Sequence, residues 1–130
     1  MSSVPQELRF TQDHEWLASG DQDTVRIGIT DYAQQQLGDV VFVQLPQVGE
    51  NISQGETIGE VESTKSVSDV FAPVTGEVVS RNDELEESPE LVNSDPYGAG
   101  WMIEVRLADP KAFEELLDAD GYSELIAGQE

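Results

Sequence analysis

A short internal echo constrains this chain more than any other feature. Pro46-Gln47-Val48-Gly49-Glu50 is answered 27 residues later by Pro73-Val74-Thr75-Gly76-Glu77. Proline and glycine three residues apart mark a turn, because one fixes φ and the other tolerates angles that most residues avoid. Each turn follows a run rich in β-branched residues, Val40–Leu45 and Val67–Ala72, which reads as a strand. Aligning the turns pairs Leu45 with Ala72, Ile52 with Val79 and Ser53 with Ser80. The echo predicts two similar β-units facing one another about a pseudo-two-fold axis.

Between the turns, Thr57–Glu62 and Val67–Ala72 are strand-like and are joined by Ser63-Thr64-Lys65-Ser66. A short polar link between two strands has the length of a hairpin turn, so Lys65 belongs near a hairpin tip. Upstream, residues 8–17 alternate loosely and end in His14-Glu15-Trp16-Leu17, and Ser19-Gly20-Asp21-Gln22-Asp23 reads as a turn. Thr24–Ile29 alternates at period two and predicts a strand. Thr30 or Asp31 can cap a short helix through Leu37, which Gly38 ends.

Downstream, Gly76–Ser80 and Trp101–Leu107 predict strands, and Arg81–Glu90 an acidic loop with room for a helical turn. Asn93–Gly100, with Pro96, Gly98 and Gly100, reads as irregular. A helix is expected from Asp109-Pro110 to about Leu117, with one further turn around Leu125-Ile126. The expectation is one domain over residues 1–130: a small β-sandwich or flattened barrel, with short flanking helices and a C-terminal helix.

Composition narrows the function. With 130 residues and 38% apolar content, one modest core can form. No apolar run is long enough to span a bilayer. Met1-Ser2-Ser3-Val4-Pro5-Gln6-Glu7 lacks the features of a signal or transit peptide. A cytoplasmic protein of bacterial or archaeal type is expected, or a mitochondrial matrix protein if a transit peptide was removed. The absence of cysteine excludes disulfides and thiol catalysis, and one histidine leaves no ordinary zinc site, so no metal is expected. Twenty-seven acids against 6 bases, a net charge of -21, make nucleic acid and anionic membranes poor partners. Most of that charge serves solubility; part can meet basic patches on partners.

Conventional catalytic machinery is missing. A Ser-His-Asp triad would need His14 as base, yet no serine sits in an elbow turn. Gly55 and Gly59 precede no Gly-Lys-Ser/Thr. Asp118-x-Asp120-Gly121 is calcium-loop-like, but its glycine is misplaced and the bidentate glutamate is absent. Lysine is the informative residue type, for only Lys65 and Lys111 are present. Lys111 follows Pro110 at a helix start and needs no functional account. Lys65 lies centrally between two strands, flanked by the small residues Ser63, Thr64 and Ser66 and framed by Glu62 and Asp69. A turn lysine is ordinarily just solvated, but a hairpin tip also presents an amine rigidly to a modifying enzyme.

The residues around it resemble a known family. Gly59-Glu60-Val61-Glu62-Ser63-Thr64-Lys65-Ser66-Val67-Ser68-Asp69, continuing to Pro73-Val74-Thr75-Gly76-Glu77-Val78, is similar to the lipoylation region of the glycine cleavage H proteins. So are His14-Glu15-Trp16, the stretch from Ile27 to Ala33, Leu37-Gly38-Asp39-Val40-Val41, and the stretch from Asn93 to Trp101. The resemblance covers nearly the whole chain in the family's order. It implies a hybrid barrel-sandwich fold of the biotinyl/lipoyl-carrier type and lipoate in amide linkage to Lys65. Glu62, Ser63, Thr64, Ser66, Ser68 and Asp69 would then form the hairpin that lipoate-attaching enzymes recognise.

It also implies a carrier without catalysis of its own. Such a carrier takes the aminomethyl group of glycine from a pyridoxal-phosphate decarboxylase (P-protein) to an aminomethyltransferase (T-protein). It then presents a dithiol to a flavin dehydrogenase (L-protein). A loaded arm must be shielded from water, and Glu15 first, then Asp69, are the carboxylates expected to dock its amine. Thr64 stands where the family more often has an apolar residue. A biotin carrier would place methionines beside the lysine, and the only methionines are Met1 and Met102. A lipoate-relay protein that keeps this fold without serving glycine cleavage is the other alternative.

Overall fold

The computed structural model describes residues 4–20 and 23–129. Two antiparallel sheets make the body. The larger has six strands in the order β1-β2-β3-β9-β8-β5, and the smaller has three, β4-β6-β7. Their ranges are β1 Arg9–Phe10, β2 Glu15–Ser19, β3 Thr24–Ile29, β4 Val40–Gln44, β5 Asn51–Ile52, β6 Thr57–Ser63, β7 Val67–Phe71, β8 Gly76–Arg81 and β9 Ile103–Leu107. Helices α1 Asp31–Leu37, α2 Glu84–Glu87, α3 Leu91–Ser94 and α4 Ala119–Gln129 flank them. The ladders remain separate and close no barrel, which gives a barrel-sandwich hybrid.

The echo is realised as a ladder. β5 and β8 are antiparallel partners with Asn51 opposite Glu77 and Ile52 opposite Gly76. Gly49 N–H to Val78 O at 2.8 Å and Val78 N–H to Glu50 O at 2.9 Å extend the pairing back to the first turn. The strands before the two turns, β4 and β7, pair with opposite edges of β6. Between the sheets Leu17, Ile27, Val78 and Val105 are buried in one apolar cluster. Val43, Val61, Val70 and Met102 form a second. Full burial of one such side chain contributes about 1.5–3 kcal/mol, so these few account for much of the stability.

Several elements differ from the sequence reading. The loosely alternating residues 8–17 are divided between β1 and the start of β2. The chain reverses at Thr11–His14, Thr11 Oγ1 accepts the N–H groups of Asp13 and Glu15, and His14 has φ 65°. Of the turn expected at Ser19–Asp23, Asp21 and Gln22 lie outside the described residues; Gly20 N–H donates to Thr24 O at 2.8 Å. Asn93 and Ser94, expected as irregular, finish α3. The helix expected from Pro110 to Leu117 is a 3-10 helix over Pro110–Glu115, capped by Asp109. It stops because Leu117 exchanges backbone hydrogen bonds with Phe10. The tail forms the eleven-residue α4 in place of a single turn. Asp118 Oδ1 accepts the Gly121 N–H at 2.8 Å, so the calcium-like motif is a helix start. α4 buries Ala119, Tyr122 and Ile126 against Phe10 and Trp16 in a third cluster.

Candidate functional site

The hairpin between β6 and β7 is built around one hydroxyl. Ser63 is 7% exposed, and its Oγ accepts the N–H groups of Ser66 at 3.0 Å and Lys65 at 3.3 Å while donating to Ser66 O at 3.1 Å. Ser63 N–H donates to Ser66 O at 2.8 Å and closes the turn. Its neighbours Thr64, Lys65, Ser66, Val67, Ser68 and Asp69 are exposed. Ser63 therefore faces inward as the knot of the turn, and the lysine stands outside it.

A second layer holds the turn from below. Thr64 N–H donates to Asp39 O at 3.0 Å. Asp39 is in turn fixed by Asn93, whose Oδ1 accepts the Val40 N–H at 2.8 Å and whose Nδ2 donates to Gly38 O at 2.9 Å. Gly38 is required here. It ends α1 with φ 85°, donating to Gln34 O, and a Cβ on it would stand 3.2 Å from Lys65 Cε. The lysine stem thus lies along bare backbone. The supporting role of Asp39 and Asn93 is invisible to pattern reading, since neither charge nor periodicity marks them.

Charge isolates Lys65. Each of the four arginines is engaged: Arg26 by Glu104 and the Trp101 ring, Arg81 by Asp83 and Glu86, Arg106 by Glu77, and Arg9 by the Phe113 ring. Lys65 has no ion pair among the described residues. On the outer face of the smaller sheet, register places Phe42, Glu62 and Val67 in one row, with Gln44, Glu60 and Asp69 in another. Phe42 is 52% and Val67 54% exposed. Glu62 and Asp69 accordingly lie on the sheet's outer face, Glu62 in the row next to the turn and Asp69 one row further from it.

Beside the hairpin lies a cleft of about 430 Å³, within the usual size of small-molecule sites. Ser66 to Val70 form one wall; Asp13, His14 and Glu15 lie on another side, and Ile29, Tyr32 and Leu37 contribute from β3 and α1. Glu15 is 2% exposed. Its Oε2 accepts the Phe71 N–H at 2.8 Å and its Oε1 the Thr11 hydroxyl at 3.3 Å. Burial pushes its carboxyl up to about 8; Asp13 adds to the rise, while the Phe71 N–H and the Thr11 hydroxyl pull the other way. Near neutral pH the group mostly holds a proton. Glu15, Ser66, Ser68 and Asp69 all line the cleft; Glu62 does not. His14 and Tyr32, which sequence reading did not place in the site, line it too. Among the described residues no group of His, Cys, Asp and Glu is arranged to hold a metal ion, and no helix is long and apolar enough to cross a membrane.

Comparison with known proteins gives the same picture over the whole chain. The family model of the glycine cleavage H-protein matches residues 8–129. A glycine cleavage system H protein of Mycobacterium avium (strain 104) is 58% identical over 126 residues, 94% of this chain and 96% of that one. Its counterpart in Mycolicibacterium smegmatis (strain ATCC 700084 / mc(2)155) is 57% identical over 129 residues, 97% of this chain and 98% of that one. The crystal structure of a glycine cleavage system H protein from Mycobacterium marinum aligns with a TM-score of 0.83 at 48% identity, covering 97% of this chain and 98% of that one. With a rigid lysine hairpin, a cleft at its foot and agreement of this extent in both sequence and fold, the chain belongs to the glycine cleavage H-protein family.

Proposed function

We propose that this protein carries lipoate on Lys65 and shuttles the aminomethyl group of glycine from P-protein to T-protein, then presents the dithiol to L-protein. The observation that carries the reading is the placement of Lys65: exposed, outside a turn whose backbone is tied down, and next to the cleft. When attached, lipoate supplies a disulfide that can be opened, loaded and re-formed. Everything else is the work of the chain. The Ser63 knot and the Asp39 support hold the lysine backbone, so a lipoate-attaching enzyme meets one fixed geometry. Ser66 and Thr64 leave the approach uncrowded, and Glu62 and Asp69 mark it electrostatically.

The cleft suits an arm with an aliphatic stem and a cationic end. Ile29, Leu37, Val61 and Val70 offer apolar surface, and Glu15 and Asp69, both in the lining, offer carboxyls. A cation arriving beside Glu15 favours its ionised form, so docking there displaces the carboxyl proton. We assign Glu15 as the principal docking group and Asp69 as the second. The protein needs no catalytic residue of its own for this role.

The test is intact mass after expression with lipoate supply, followed by reconstitution with P- and T-proteins. Wild type should gain one lipoyl group and support glycine decarboxylation; Lys65→Arg should fold, gain no mass and support none. Lipoyl mass on Lys65→Arg would overturn the site. A lipoylated wild type that failed to support P- and T-proteins would favour a lipoate-relay protein.

A further inference from the structure

A line of hydrogen bonds runs from the start of α1 to the wall of the cleft. Ala33 N–H donates to Thr30 Oγ1 at 3.2 Å. Thr30 Oγ1 is 2.7 Å from the Tyr122 hydroxyl, which is 2.9 Å from His14 Nδ1. Thr30 and Tyr122 are wholly buried. Tyr122 comes from α4, and its ring stacks on Phe10 with centroids 4.7 Å apart.

Proton counting gives this line a direction. A hydroxyl has one proton to donate and two lone pairs that accept. Thr30 Oγ1 already accepts from Ala33, and among the described residues the Tyr122 oxygen is the acceptor within its reach. A buried hydroxyl proton without an acceptor is costly. The Thr30 hydroxyl therefore donates to Tyr122, and Tyr122 donates onward to His14 Nδ1. Nδ1 is then an acceptor, and the imidazole proton sits on Nε2. An imidazolium, or the opposite tautomer, would need Nδ1–H to donate to Tyr122. Tyr122 would then donate to Thr30, stranding the threonine proton.

We propose that Tyr122 is a positioning residue that holds His14 as the neutral Nε2–H imidazole in the wall of the cleft, keeping a second cation out of the place where a cationic cargo docks. The docking half of this inference rests on the carrier reading above; the tautomer half does not. Ionisable groups surround the ring. His14 is flanked by Asp13 and Glu15, packs on Tyr32 with ring centroids 4.8 Å apart, and accepts the Thr30 N–H on its backbone carbonyl just ahead of Asp31, with Ser68 and Asp69 on the β7 wall. The relay from Thr30 fixes which ring nitrogen carries the proton. The C-terminal helix thereby supplies a working hydroxyl to a site it does not line.

His14 is the only histidine, so long-range proton–nitrogen spectra of uniformly nitrogen-15-labelled protein read its tautomer directly. Wild type without lipoate should show the Nε2–H form alone at pH 7.5. Tyr122→Phe keeps the stacked ring and removes the relay; it should show mixed tautomers and an imidazolium signal at pH 6.5. Thr30→Val removes only the directing hydroxyl and should relax the tautomer in the same way, which serves if Tyr122→Phe does not fold. In lipoylated, loaded carrier, Tyr122→Phe should decay several-fold faster than wild type at pH 6.5 and at a similar rate at pH 8.5. An Nδ1–H tautomer in wild type, or unchanged spectra in both variants, overturns the relay. Equal decay at pH 6.5 with the predicted spectra overturns its part in docking. Absence of lipoyl mass on wild type would instead count against the carrier reading, leaving the spectral result intact.

Discussion

The Glu15 carboxyl group accepts the Phe71 amide proton at 2.8 Å, and so joins β2 of the larger sheet to β7 of the lysine-bearing one. The contact puts an ionisable group where β7 would otherwise present an unpaired N–H. Its carboxyl is raised from 4.5 to about 8, above all by burial. The folded state therefore binds this proton more tightly than the unfolded chain does. The associated stabilisation is complete below about 4.5 and is lost as pH rises through 8. It is on the order of 3–5 kcal/mol over that window.

Glu15→Gln removes the titration and keeps an oxygen for Phe71. The variant's melting temperature relative to wild type should therefore rise between pH 5 and pH 8.5. Scanning calorimetry at the two pH values checks it. A difference that stays constant would mean that Glu15 titrates as an ordinary surface acid.

On the docking proposed above, the same carboxyl should make decay of the loaded carrier pH-dependent. If docking converts Glu15 to its ionised form, protection of the loaded carrier should strengthen as pH rises from 6 toward 8. Glu15→Gln should decay faster than wild type with little of that dependence, and should be lipoylated normally. Matching decay rates for the two proteins across the range would shift the docking role to Asp69.

The support beneath the lysine is testable apart from its chemistry. Asn93→Ala deletes bonds to Val40, Gly38 and Gln34, and should cost about 1–3 kcal/mol. It should also speed hydrogen exchange at the Thr64 amide, which donates to Asp39 O. Gly38→Ala strains a residue at φ 85° and crowds Lys65 Cε, so lipoate attachment, followed by mass against time, should slow. Attachment at the wild-type rate in both variants would show that the modifying enzyme tolerates a loose hairpin.

Local signals made much of this legible. Thr24–Ile29 alternates because one face is buried, and Thr30 and Gly38 bound α1 with side-chain and backbone chemistry that residue type declares. The hairpin followed from two β-branched runs and a short polar link. What stayed hidden depends on partners distant in sequence. Glu15 looks like a surface acid until Phe71, 56 positions away, is folded beside it. Tyr122 carries no mark of its pairing with His14, 108 positions earlier. α4 is weakly patterned, with Gly121 and Gly128 inside it, and becomes a helix through its packing on Phe10 and Trp16. The spacing of Phe113, Leu116 and Leu117 fits a helix, yet Leu117 is taken by a bridge to Phe10. Tertiary contact outweighed propensity there.

The last prediction concerns the surface charge. At a net charge of -21, single exposed acids contribute little to stability, but their sum sets a field that speeds encounter with basic surfaces. A carrier that serves several enzymes in turn must leave each quickly, so weak, steered contacts suit it better than tight ones. The exposed row of Phe42, Glu62 and Val67 beside Lys65 fits such contacts, since it offers modest apolar area with a carboxylate in its centre. Screening shortens the reach of the field from about 10 Å at 0.1 M salt to about 3 Å at 1 M. The apparent KM of P-protein for this carrier should therefore rise with potassium chloride while the carrier's circular dichroism holds. If the acidic surface instead serves solvation in a salty cytoplasm, activity would hold or improve as salt increases. The glycine–bicarbonate exchange assay across a salt titration separates the two, and a flat or falling KM would rule out steering as the use of the charge.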